Sequence, residues 1–139
     1  MPLEGSKSIS LWSGHAKAIE EYAKSLPYPP TTPQMVKRAV SLKVIPVQKL
    51  LRSPAVRDAV KAIGEADEER VVLKSVTVPD ETAEELSRVA EDAKDGIQQG
   101  LHMEKEPSPT YCAGVWILLF IETESPGFLS KMKELVAVE

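Results

Sequence analysis

Residues 33–63 read PQMVKRAVSLKVIPVQKLLRSPAVRDAVKAI, a segment in which three prolines each open a short stretch of helical periodicity. Thr32 precedes the first of these prolines and Ser53 precedes the third, so both are predicted N-caps with proline at the first helical position. A proline inside a helix removes one hydrogen bond and bends the axis. We therefore predict one bent helical path in three pieces.

Each piece of this path carries basic side chains on one face and apolar side chains on the other. Asp58 is the only acid in the segment. The candidate nucleic-acid-binding residues are Lys37, Arg38, Lys43, Lys49, Arg52, Arg57 and Lys61. Lys43 is the misfit, because it falls on the apolar side of its helical wheel. The competing interpretation is an ordinary solvated surface helix whose basic side chains bind nothing.

The charge of the chain is strongly asymmetric. Its 139 residues, the usual size of one domain, have a net charge of −4. Residues 1–62 have a net charge of +6, residues 63–106 of −8, and residues 107–139 of −2. Such polarity predicts an acidic partner for the first half, or head-to-tail contact between copies. Two solvated faces of opposite sign would explain it equally well.

The residues outside the basic segment point to no cofactor and no metal. A single cysteine, Cys112, excludes an internal disulfide and a multi-cysteine zinc site, and we expect it to be a small buried hydrophobe. His102, Glu104 and Glu106 lie in a loop-like stretch and do not form a set of three well-spaced ligands, so no metal site is predicted there. The start of the chain lacks the apolar region of a signal peptide. The longest apolar run, residues 113–121, is far shorter than the roughly 20 residues that span a bilayer.

The first part of the chain is predicted to be helical. Residues 1–8 are expected to form a flexible tail, and residues 9–26 have the pattern of an amphipathic helix. His15 falls on its apolar side, where we expect a partly buried, hydrogen-bonded histidine. Residues 27–33, PYPPTTP, favour a stiff, extended connector.

The second part begins after an acidic link, GEADEER, at residues 64–70. We place the boundary between an N-terminal arm, residues 1–63, and a C-terminal body, residues 64–139, at this link. Residues 71–78 are β-branched and locally favour a strand, although they would also line one side of a helix. Residues 80–101 are the clearest predicted helix, with one apolar stripe and one acidic face.

Residues 111–124, YCAGVWILLFIETE, are apolar on all sides until Glu122. Such a run is a buried strand or a buried helix, and Gly114 and the β-branched content favour the strand. A short terminal helix is predicted from Phe128 to Val136. Glycine-rich phosphate loops, HExxH, nucleophile elbows and CxxC pairs are all absent from the sequence, so no enzyme is predicted.

The overall plan resembles the major coat proteins of filamentous and rod-shaped archaeal double-stranded DNA viruses. The likeness lies in a short polar tail, an aromatic-bearing first helix with Leu11, Trp12 and Tyr22, a proline-broken connector and a Val/Ala-rich basic helical segment. It covers most of the chain and includes no diagnostic motif. The resemblance implies a mainly α fold, with a proline-kinked N-terminal helical arm and a C-terminal helical body. Residues 71–78 and 112–121 would then be helical.

The same resemblance implies a function. The protein would be a structural capsid protein that wraps double-stranded DNA non-specifically and assembles into a helical filament in the virion. Its partners would be the DNA, other copies of itself or a related coat subunit, and a viral envelope where one is present. No small-molecule substrate and no cofactor are expected.

Two other classes stay open from the sequence. One is a small α+β protein-interaction or regulatory domain, cytoplasmic and homodimeric, with strands near residues 71–78 and 112–121 paired. The other is an enzyme with an unrecognised site that uses His15, His102 or Cys112.

Overall fold

The chain folds into a mainly α structure, as predicted. A computed structural model describes residues 6–41, 45–64 and 73–132. Within these ranges the elements are β1 (Ser6–Trp12), α1 (Ser13–Ser25), α2 (Thr32–Ser41), α3 (Val47–Leu51), α4 (Pro54–Gly64), β2 (Leu73–Pro79), α5 (Asp80–Gly100) and α6 (Pro109–Glu124). Residues 128–132 are also helical, which agrees with the start of the predicted terminal helix. No helix in the described part of the chain is long and apolar enough to cross a membrane.

Helix α6 lies at the centre of the core. Every residue from Tyr111 to Glu122 is buried, as expected for a helix that is apolar on all sides. It packs against α1, α2, α5 and β1. The Trp116 indole N–H donates to the backbone oxygen of Ala39 at 3.3 Å, which joins α6 to α2.

The predicted preference for a strand at residues 112–121 is wrong, and the helical alternative is confirmed. Both the local sequence and the burial of this segment in the core favour a helix here. Ser108 caps the helix by accepting the Tyr111 N–H at 3.1 Å, and Pro109 occupies the first turn. This is a strong helix start, and a run of this length can satisfy all its backbone groups internally only as a helix.

A small antiparallel sheet joins the start of the described chain to its middle. Strand β1 pairs with β2 so that Ser6 lies opposite Pro79 and Trp12 lies opposite Leu73. Alternate residues of β2 are buried, with Val76 turned into the core and Ser75 exposed. This period of two is what a half-buried strand requires.

The strand pairing corrects two predictions from the sequence. Residues 6–8 are not a tail, and residues 9–12 are not helical, because all of them belong to β1. The helix implied for 71–78 is wrong where the structure describes that segment, from residue 73 onwards; the local strand interpretation is confirmed there. Non-local hydrogen bonding to a partner some 65 residues away decides both cases. Residues 1–5, 71 and 72 lie outside the described ranges.

The bent helical path is present as α2, α3 and α4. Its first cap is Thr31, not Thr32. Thr31 Oγ1 accepts the Gln34 N–H at 3.3 Å, and the Gln34 side-chain oxygen accepts the Thr31 N–H at 2.8 Å. This reciprocal pair is a capping box. The prediction placed the cap at Thr32 because that residue precedes Pro33. Ser53 caps α4 as predicted, through a 3.5 Å bond from the Val56 N–H.

The described residues of the predicted arm and body pack against each other. Helices α1 and α2 contact α6, α3 contacts α5, and β1 pairs with β2. The proposed boundary, residues 64–70, lies outside the described ranges apart from residue 64, and the division into two domains stays a prediction.

Candidate nucleic-acid interface

The apolar faces of α2, α3 and α4 turn the predicted basic residues outward. Helix α2 buries Met35 and Val36 one turn before it buries Ala39 and Val40. Helix α4 likewise buries residues four apart along its length. Because side chains at that spacing share one face, the intervening bases are left outside the core. Lys37, Arg38, Lys49 and Arg52 are exposed, and Arg57 and Lys61 are half-buried. Lys43 lies outside the described residues.

None of these six basic side chains forms an ion pair or a side-chain hydrogen bond within the described ranges. The basic residues of α5 behave differently. Arg88 pairs with Glu85 at 2.5 Å, and Lys94 pairs with Glu91 at 3.4 Å and with Glu106. The hydrogen bonds to Glu106 and Glu91 raise the pKa of Lys94. Positive charge is thus neutralised on α5 and left without a partner on α2 to α4.

Two of the basic residues, Lys37 and Arg38, line one cleft, which we call the tyrosine cleft. It is an open cleft of about 840 Å³ between the proline-rich connector and α2. Its lining residues are Tyr28, Pro29, Pro30, Gln34, Lys37, Arg38 and Ser41. The cleft therefore combines two cations, a primary amide, a hydroxyl and an aromatic ring.

Two further basic residues, Arg52 and Arg57, line a smaller cleft of about 220 Å³, which we call the arginine cleft. Its lining residues are Gln48, Leu51, Arg52, Arg57, Gln99, Gly100 and His102. Gln48 donates from its side-chain nitrogen to the Gln99 side-chain oxygen at 3.2 Å, which joins α3 to α5. His102, two residues after the end of α5, adopts a positive φ of 54°. Two arginines that line one cleft suit a phosphate oxyanion.

Helix α3 can approach α5 this closely because residue 100 is a glycine. A Cβ atom there would lie 2.6 Å from Leu51 Cδ1 and 2.8 Å from Leu51 Cβ. Leu51 is fully buried, whereas the next residue, Arg52, is exposed. The glycine contact therefore helps to set where Arg52 lies.

The structure does not gather all the predicted contacts into one surface. Lys49 lies in a third cleft, about 580 Å³ in volume, together with Asp92 and Asp95 of α5. Lys61 lines neither the tyrosine cleft nor the arginine cleft. Tyr28 was not among the predicted site residues, although its position as the one aromatic residue in the proline-rich stretch was a usable signal.

Two of the three residues that were considered for catalysis, His15 and Cys112, lie in the core, and the third, His102, is exposed. His15 is fully buried beside the rings of Trp12 and Tyr111, with centroid distances of 5.9 and 5.3 Å. Both of its ring nitrogens lack a hydrogen-bond partner, so the expectation of a partly buried, hydrogen-bonded histidine is wrong. Burial lowers the pKa of His15 to about 4. Burial raises the pKa of Cys112 to about 11, so its thiol is protonated at neutral pH.

In the part of the chain that the structure describes, no group of three His, Cys, Asp or Glu side chains could hold a metal ion. No family model, no curated protein and no solved structure matches the chain. The likeness to viral coat proteins therefore rests on the sequence pattern alone.

Proposed function

We propose that the protein binds double-stranded DNA through the phosphate backbone, using the basic side chains of α2 to α4, and that many copies coat the DNA as a filament. The observation that carries the proposal is the set of six outward bases without an acidic partner in the described chain. Like charges that share a cleft repel each other, as Lys37 and Arg38 do, and an acidic ligand relieves that repulsion.

The binding would be electrostatic and independent of sequence. Lysine and arginine side chains neutralise phosphates and release condensed counterions, so affinity falls steeply with salt. The basic side chains are distributed over three short helices, and are not concentrated on one recognition helix that enters a groove. They are therefore suited to backbone contacts, which position a protein on DNA without reading its bases.

The acidic face of α5 supports the assembly part of the proposal. Glu84, Asp92 and Asp95 are exposed on this helix. In a coat, such a face is directed away from the DNA or towards the basic side chains of a neighbouring copy. Both arrangements use the charge asymmetry of the chain, and the second joins subunits head to tail.

The test is binding to a fluorescently labelled duplex of random sequence, measured by anisotropy between about 50 and 200 mM salt. We expect Lys37→Gln combined with Arg38→Gln to lower the slope of log affinity against log salt by about 1.8, because each lost phosphate contact removes about 0.9. Arg52→Gln combined with Arg57→Gln should act similarly.

The matched control is Arg88→Gln combined with Lys94→Gln, which removes the same charge from α5, where both bases already have acidic partners. We expect its slope to equal that of the unmodified protein. An equal loss in the control would mean that net charge alone matters, and no binding to random duplex at low salt would refute the proposal. Electron microscopy of the complex tests the coat, since scattered single particles without filaments contradict it.

A further inference from the structure

Tyr28 is the one exposed large hydrophobic side chain among the described residues. It is 92% exposed, whereas the other large apolar side chains lie in or against the core. An aromatic ring this accessible loses the stabilisation that burial would provide. It lies at the edge of the tyrosine cleft, beside two cations that also lack partners.

The backbone that carries Tyr28 has little conformational freedom. Pro27 precedes Tyr28 and Pro29 follows it, and a residue before proline is restricted to extended conformations. The connector then enters the capping box of Thr31 and Gln34, which anchors its far end to α2. The tyrosine is therefore presented on a stiff support, and little backbone entropy is lost when a ligand contacts it.

The chemistry around the ring is that of a nucleotide. Lys37 and Arg38 supply positive charge for phosphate, and the ring supplies a flat apolar face. The Gln34 side-chain oxygen is used by the Thr31 N–H, which leaves its side-chain nitrogen free to donate. A basic groove beside an exposed aromatic ring is the usual way in which proteins hold single-stranded nucleic acid.

We propose that Tyr28 is a stacking platform for an unpaired base, and that the tyrosine cleft binds a short single-stranded segment whose phosphates lie on Lys37 and Arg38. The inference deepens the proposed function and rests on it for the phosphate contacts. The bases of an intact duplex already stack on each other, so they offer no free face to the ring. Tyr28 therefore contributes to binding of single strands and of frayed or melted ends, and not to binding of closed duplex.

The experiment compares a labelled single strand with a closed hairpin duplex of the same sequence, both measured by anisotropy at one salt concentration. Tyr28→Ala should weaken single-strand binding by about 5- to 150-fold, the range found for the loss of one stacked base. Duplex affinity should not change. Tyr28→Phe, which keeps the ring, should retain the affinity for the single strand, and all variants should keep the thermal unfolding temperature because the side chain is exposed.

Four outcomes would overturn the inference. These are an unchanged single-strand affinity in Tyr28→Ala, an equal loss on duplex and single strand, a loss in Tyr28→Phe as large as in Tyr28→Ala, and a sedimentation change showing that Tyr28 joins copies of the chain. Its failure is distinguishable from failure of the proposed function. If the unmodified protein binds the single strand in a Tyr28-dependent way but ignores duplex, the coat proposal fails and this one stands. If it binds neither, both fail.

Discussion

Helix α6 is apolar on all sides and buried, whereas helices α2 to α4 are amphipathic and expose a basic side. All sides of α6 between Tyr111 and Glu122 are covered by the rest of the chain. Each of α2, α3 and α4 is covered on one side only, and its basic side has no partner in the described chain. The role of α6 is therefore explained within the molecule, whereas the outward side of α2 to α4 is the surface on which we propose that DNA binds.

Substitutions in these two regions should therefore have different effects, one on stability and the other on binding. A substitution around α6 alters packing, so it should change the free energy of unfolding. A substitution on the outward face of α2 to α4 should change binding and leave stability nearly constant. The three predictions below test where the boundary between these two regions lies.

The largest effect is expected at Gly114, where α6 meets α1. A Cβ atom at this position would lie 2.0 Å from His15 Nδ1 and 2.7 Å from His15 Cγ, far inside contact distance. Because His15 is fully buried, its ring has no free space to move into. We expect Gly114→Ala to lower the free energy of unfolding by roughly 2–4 kcal/mol in urea denaturation, despite the better helix propensity of alanine.

A double-mutant cycle sharpens this prediction. Combining Gly114→Ala with His15→Ala removes the ring that the new methyl group meets, so the two substitutions together should destabilise less than the sum of each alone. Strict additivity would show that the close approach of His15 to Gly114 does not decide the packing here.

The next effect is a loss of stability in acid through His15. Burial lowers the folded-state pKa to about 4 from the ordinary value of 6.5. Between these values the unfolded chain binds more protons than the folded one, so stability is complete above pH 6.5 and falls as the pH approaches 4. The full loss is about 3 kcal/mol, at 1.36 kcal/mol per unit of pKa difference.

The measurement is the free energy of unfolding in urea across this pH range. His15→Leu removes the titrating ring and should flatten the His15 contribution to the curve. The matched control is His102→Gln, because His102 is an exposed histidine and its replacement should leave the slope unchanged. The same slope in both variants would assign the acid sensitivity to other groups.

His15 also illustrates what the sequence could not show about the fold. Its place on the apolar side of a wheel predicted contact with the core, but the absence of a hydrogen-bond partner depends on which side chains of α6 arrive there. Residues 9–12 fit the helical period of the residues that follow, and only pairing with β2 makes them a strand. By contrast, α5 was predicted to within one residue, because its apolar stripe is local and its start is marked by proline and acids.

The candidate site shows the same division. Periodicity was sufficient to predict that Lys37, Arg38 and Arg52 lie outside the core. It could not predict which bases share a cleft, because that depends on how α3 and α5 approach each other. Lys49, for example, lines one cleft with Asp92 and Asp95, which are far away in the sequence, although it forms no ion pair with either. The proline-rich connector predicted a stiff segment, but not that its tyrosine borders a basic cleft.

The smallest effects are expected at the seam between the two regions, where α5 meets α3. Gly100→Ala would place a methyl group 2.6 Å from Leu51 Cδ1, and we expect it to lower the free energy of unfolding by about 1–2 kcal/mol. Gly96→Ala, one helical turn earlier, is the matched control. Its methyl group would have no neighbour nearer than 3.5 Å, so the substitution should raise stability by about 0.5–1 kcal/mol through helix propensity.

Gly100→Ala and Gly96→Ala are expected to change the free energy of unfolding in opposite directions. The two variants make the same chemical change on the same helix, one turn apart, and they differ chiefly in how closely α3 approaches, so urea denaturation of both tests the Leu51 contact. Because Leu51 precedes Arg52, a displaced α3 should also weaken duplex binding in Gly100→Ala and leave it unchanged in Gly96→Ala. Equal stabilisation of both variants would mean that α3 yields easily to α5, and that the packed interior ends before the arginine cleft begins.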